Sequence, residues 1–120
     1  MANELTLTAA LGYAKGTFTN LTRSFTNVSR DVAGSNPIYN VQAVGTSAEA
    51  LLVGDVGTAG YILLRNLDAT NFVEVRDGAG GADVVKLKPG DIAMFRLATS
   101  TPFVIADTAG INLEYWLIPD

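Results

Sequence analysis

Paired carboxylates are the only familiar catalytic apparatus that the residue types leave open, because the chain has neither cysteine nor histidine. That absence removes thiol nucleophiles, disulfides, the usual zinc ligands and any Ser-His-Asp triad. Glu74, Glu114, Asp91 and Asp107 are the acids nearest apolar strands, where a carboxyl can act as general acid or base. Nothing in the spacing pairs them, and Glu74 two residues before Arg76 fits a cross-strand ion-pair network better than an active site. No catalytic residue is assigned, and the chain is read as a non-enzyme.

The glycine-rich stretch Asp77-Gly78-Ala79-Gly80-Gly81-Ala82-Asp83 lacks the Gly-Lys-Ser/Thr end of a phosphate cradle and opens no helix. It is read as a hairpin loop, and no cofactor is expected. Its two aspartates fall short of the six or more oxygens that a calcium cage needs, so no metal site is assigned. Tyr61, Tyr115 and Trp116 are the candidate interface residues. Neighbouring residues of a strand point to opposite faces, so at least one of Tyr115 and Trp116 belongs to the core and the other to a surface or subunit contact. The same rings would also suit a sugar-binding platform. A mean hydropathy of +0.27 is high for a small acidic chain and argues for apolar surface covered by a partner, with a homo-oligomer the leading expectation.

Eight Lys and Arg against twelve Asp and Glu leave a net charge of −4 and a pI near 4.6. The basic residues are scattered rather than striped, which argues against a nucleic-acid partner. No apolar run approaches the roughly 20 residues of a membrane span, and no secretory signal is visible, so a soluble product made in a cytoplasm is expected. At 120 residues the chain has the size of one domain.

The elements that must carry these residues read as strands. Short runs rich in Val, Ile, Leu, Phe, Tyr and Thr alternate with turn clusters, as in a sandwich or barrel. Residues 4–11 place Leu5 and Leu7 on one face and Thr6 and Thr8 on the other. In residues 17–29 the apolar Phe18, Leu21, Phe25 and Val28 keep no single parity, which predicts a bulge or a bend. A strand over 38–44 follows, and residues 47–52 fit either a helical turn or a short strand. The continuous apolar centre of residues 60–66 predicts a strand buried on both faces, forming a hairpin with 72–76. Residues 83–87 and 92–97 are expected to form another hairpin around Lys88-Pro89-Gly90-Asp91, whose Pro and Gly occupy the central positions of a type II turn. Strands over 103–106 and 111–118 close the chain. Shifting by 31 residues matches Arg65 with Arg96, Thr70 with Thr101, Phe72 with Phe103 and Val73 with Val104, which predicts two similar hairpins. The expected fold is all-β: an antiparallel two-sheet sandwich, jelly-roll-like, of about eight strands in one domain.

Residues 54–75, followed by Lys86-Leu87-Lys88-Pro89-Gly90-Asp91 and Phe95-Arg96-Leu97, resemble small structural proteins of tailed bacteriophages. The resemblance covers about the last two-thirds of the chain. It implies a β-sandwich or jelly-roll component of the virion, made in the host cytoplasm. Within that class it implies a capsid cement or decoration protein, often a trimer, that stabilises the shell of major capsid protein. A small tail or fibre-associated component is the alternative, and a carbohydrate-binding module a more distant one. No active-site residues come with the resemblance. Residues 1–30 are the candidate for an interlocking arm that lies across neighbouring subunits.

Overall fold

The computed structural model describes residues 3–99 and 101–120. Met1 and Ala2, at the start of the expected arm, and Ser100, in the expected turn over 99–102, lie outside the described residues. The chain divides into two compact units, Met1–Ala33 and Gly34–Asp120.

The first unit is a hairpin of β1 (Leu5–Lys15) and β2 (Phe18–Arg30). Gly16, at φ +60, opens its two-residue turn, where a type II′ loop requires glycine. The broken parity of β2 has a local cause. Leu7 pairs with Val28 but Ala9 with Phe25, so Thr26 and Asn27 together face Thr8. Tyr13 pairs with Leu21 but Lys15 with Phe18, so Thr19 and Asn20 together face Ala14. Each extra residue is a β-bulge, and Asn27 and Asn20 have φ values of 56° and 61°, a region that asparagine enters more readily than most residues. The bulges return Phe18, Leu21, Phe25 and Val28 to the face that carries Leu5, Leu7, Leu11 and Tyr13.

The second unit is a sandwich of eight strands: β3 (Ile38–Val44), β4 (Glu49–Ala50), β5 (Ala59–Asn66), β6 (Val73–Arg76), β7 (Asp83–Leu87), β8 (Ile92–Arg96), β9 (Phe103–Ala106) and β10 (Ile111–Pro119). One sheet has the order β3-β10-β5-β8 and the other β4-β9-β6-β7, with every pairing antiparallel. Counted within the sandwich, the first sheet takes strands one, eight, three and six and the second takes two, seven, four and five. That is the double Greek key of a jelly roll, as expected from the sequence.

Alternating apolar residues build the core. Ile62, Leu64, Leu113, Tyr115 and Leu117 of the first sheet meet Val73, Val75, Leu87, Val104 and Ala106 of the second, all buried. Inward and outward residues of β6 and β10 alternate without interruption.

The structure differs from the sequence expectation at three places. β5 and β6 form no hairpin, because β5 pairs with β10 and β8 while β6 pairs with β7 and β9. β7 and β8 likewise belong to different sheets. The Lys88–Asp91 turn does form, with Gly90 at φ +80 and the Asp91 N–H donating to the Lys88 carbonyl at 2.9 Å, but it carries the chain from one sheet to the other. The two segments matched by the 31-residue shift are both crossings from the first sheet to the second, and their matched valines, Val73 and Val104, are fully buried. In a jelly roll, most consecutive strands cross between sheets, so short turns do not identify partners. The glycine-rich loop does close a hairpin, β6–β7. The third correction concerns β5, which is buried on one face only: Ile62 and Leu64 point inward, whereas Leu63 and Arg65 are exposed.

Buried polar side chains lock the crossings. The Asn66 amide donates to the carbonyls of Asn71 (2.9 Å) and Leu87 (3.0 Å), and its oxygen accepts from the Asp68 N–H at 2.9 Å. Asp68 in turn accepts from the N–H groups of Thr70 and Asn71, which hold its carboxyl below the usual range. Gln42 on β3 reaches β4, donating to Glu49 and to the Ala50 carbonyl, both at 3.1 Å.

Candidate interaction site

The four acids weighed for catalysis do not converge. Glu74 lies on the outer face of the second sheet, opposite Lys86 and Ile105, and Glu114 on the outer face of the first, opposite Val41 and Arg65. Asp91 accepts from the Lys88 N–H inside its turn, and Asp107 begins the loop after β9. Arg76 pairs with Asp83, its register partner, rather than with Glu74, and the pairing raises the Arg76 pKa. Asp83, weighed as a calcium ligand, is therefore engaged in an ion pair.

The three expected interface aromatics separate. Tyr115 is fully buried, with its hydroxyl donating to the Leu52 carbonyl, so it belongs to the core and cannot contact a partner. Burial raises its pKa, against the lowering effect of the hydrogen bond from Asn40. Trp116 is 48% exposed on the opposite side of β10. Tyr61 also faces outward, half-buried under Arg96, whose guanidinium carbon sits 4.6 Å from the ring centroid and which pairs with Asp120.

Register assembles Trp116 into a larger feature. It stands opposite Tyr39 on one side and Leu63 on the other, and Leu63 stands opposite Met94. Tyr39, Trp116, Leu63 and Met94 thus form one row across all four strands of the first sheet, and all four are exposed. Parity dictates this: these residues alternate with Asn40, Tyr115, Leu64 and Ala93, which form the inward row. The Tyr39 and Trp116 rings lie 4.9 Å apart, tilted by 50°.

The next outward row is Val41, Glu114, Arg65 and Ile92. Tyr39 donates to Glu114 at 2.5 Å, a bond that, with burial and the carboxylate charge, raises the tyrosine pKa. Among the described residues Glu114 makes no ion pair, although Arg65 is its cross-strand neighbour. A hollow of about 310 Å³ opens between Trp116, Leu63, Glu114, Arg65 and Ile92. The outer face of the second sheet carries the Arg76–Asp83 pair and Glu74 opposite Lys86, together with Ile105 opposite Glu74 and Phe103 opposite Arg76.

A second apolar surface lies on the hairpin. Leu11 (70% exposed), Tyr13, Phe18, Leu21 and Phe25 share one face, while the other carries Thr6, Thr8, Ala10, Gly12, Thr22 and Ser24. All three basic residues of the hairpin, Lys15, Arg23 and Arg30, are register partners on the apolar face, with Arg23 over the Phe25 ring at 4.7 Å. A two-stranded hairpin alone is at best marginally stable in water, and exposed apolar patches of this kind mark interaction sites. Single-chain periodicity pointed to Trp116 but missed Tyr39, Leu63 and Met94, because only strand order aligns them.

No protein-family description, no curated protein and no solved structure matches the chain.

Proposed function

We propose that this protein is a non-enzymatic structural component of a tailed-phage virion, a trimeric cement or decoration protein that stabilises the shell of major capsid protein. The observation that carries the reading is the pair of uncovered apolar surfaces, the hairpin face and the Tyr39–Trp116–Leu63–Met94 row. A chain with a rigid jelly roll and a long amphipathic hairpin is suited to assembly, since each exposed surface gains stability when another subunit covers it. The resemblance of residues 54–75, 86–91 and 95–97 to phage structural proteins supplies the virion context. The test is position in the particle: antibodies against the chain should label the shells of purified phage from lysates in which its gene is expressed. Label confined to the tail would favour the tail component, and unlabelled particles would contradict both.

A carbohydrate-binding module is a second reading. Trp116, in tilted contact with the Tyr39 ring and bordered by the hollow that Glu114 and Arg65 line, has the aromatic and polar groups that such a site needs. Saturable quenching of Trp116 fluorescence by oligosaccharides would favour it.

A further inference from the structure

We propose that the hollow beside Trp116 is a binding site for an acidic saccharide, with a sugar ring laid on the indole and its carboxylate held by Arg65. The proposal rests on the carbohydrate-binding reading above and names the ligand class of that site.

The indole supplies the apolar contact. Trp116 is exposed, and the hollow of about 310 Å³ that it borders falls at the small end of the ~300–1,000 Å³ typical of ligand sites, which suits a sugar ring better than a long apolar chain. Its walls are mixed: Leu63 and Ile92 are apolar, while Glu114 and Arg65 are charged. A purely apolar occupant would take both charged groups out of water without giving them partners. A pyranose instead offers hydroxyls to those groups and a face of C–H bonds to the indole.

Charge selects an acid. The strands of the first sheet carry two basic residues, Arg65 and Arg96. Arg96 is engaged, lying over the Tyr61 ring and pairing with Asp120. Arg65 is exposed and makes no hydrogen bond or ion pair among the described residues. Glu114 is its register partner on β10, yet the Glu114 Oε2 accepts from the Tyr39 hydroxyl on β3, the strand on the far side of β10 from Arg65. On its other side Arg65 faces the uncharged Ile92. The guanidinium is thus open to a carboxylate, which it can grip through two parallel N–H donors. The Glu114 Oε1 has no partner among the described residues and can accept from a sugar hydroxyl. The net charge of −4 disfavours a dense polyanion, so the fitting ligand is a short saccharide with a single carboxylate on the bound ring.

Trp116 is the single tryptophan and reports on its own site. The full-length protein is titrated with short oligosaccharides of galacturonic, mannuronic and glucuronic acid, and with the same oligosaccharides after their carboxyls have been reduced to alcohols. The acids should change the Trp116 fluorescence saturably at concentrations about tenfold lower than the reduced forms. Arg65→Gln should weaken binding of the acids about tenfold, to the level of the reduced forms, with unchanged melting of the sandwich because the side chain is exposed. Equal binding of acid and reduced forms, or a preference for the acids that survives in Arg65→Gln, overturns the proposal and leaves the carbohydrate-binding reading standing. A Trp116 that responds to none of these oligosaccharides overturns both.

Discussion

Phe25 and Val28 are three residues apart, yet they lie on the same face of the hairpin, because the bulge at Thr26 and Asn27 absorbs one residue between them. Without the bulge, an odd spacing would put one of the two rings or methyl groups among the threonines. Asn27 is the residue that pays no β-branch penalty for its φ of 56°, and its N–H donates to the Thr8 hydroxyl at 3.3 Å.

Asn27→Gly should therefore leave assembly intact, and Asn27→Val should weaken it. A branched residue in the left-handed region costs about 1–2 kcal/mol, a large share of the stability of an isolated hairpin. Sedimentation at matched concentrations would register the difference as a loss of oligomer in the valine variant alone, with the sandwich still cooperative on melting.

Asn66 should matter to the sandwich itself. Asn66→Leu leaves the buried Leu87 carbonyl without this partner, at about 1–3 kcal/mol, and strips the half-buried Asn71 carbonyl and Asp68 N–H of theirs at a smaller cost. For a unit of this size, each kcal/mol lowers Tm by about 4–8 °C, which calorimetry would resolve.

The two perturbed tyrosines set an alkaline limit. Tyr39 and Tyr115 both have raised pKa values, the first chiefly through its hydrogen bond to Glu114 and the second chiefly through burial. A group whose folded pKa lies above its unfolded value contributes stability that is complete below the unfolded value, about 10 for tyrosine, and lost as pH rises through the folded one. Tm should hold from neutrality to about pH 9 and fall above about pH 10. Tyr115→Phe should start from a lower Tm, since the Leu52 carbonyl loses its donor, but fall less steeply with alkali. Asp68 acts in the opposite direction: its lowered pKa gives stability that is present above the ordinary carboxylate value and lost as acid protonates it. Asp68→Asn should flatten the acid limb of the same melting series.

Leu63→Ser and Trp116→Ser should reduce assembly with little change in the melting of the sandwich, because both side chains point away from the core. By contrast, Leu64→Ala, one residue along β5 but fully buried, should cost about 2–5 kcal/mol. Denaturant titrations beside light scattering would separate the two classes.

Strand character, the alternation of β6 and β10, and the division between Tyr115 and Trp116 were legible in the sequence, because a period of two depends only on neighbours along the chain. Strand partnership was not, since the β5–β6 and β7–β8 connections are as short as hairpin loops but cross between sheets. The continuous apolar run of β5 predicts burial on both faces, whereas Leu63 on its outer face is exposed. Periodicity registers Leu63 as apolar, but whether its cover comes from this chain or another is a property of the assembled surface. The exposed row could not be seen before strand order placed Tyr39, Trp116, Leu63 and Met94 side by side.

This chain is proposed to work as an oligomer whose exposed apolar surfaces cover one another, and its mass in solution tests that most directly. Light scattering after size exclusion should give a stable species near three times 12.6 kDa that reverts toward a single chain when Leu11, Leu21 and Phe25 are changed to Ser. A clean 12.6 kDa monomer of the unmodified protein across the working concentration range would contradict the account.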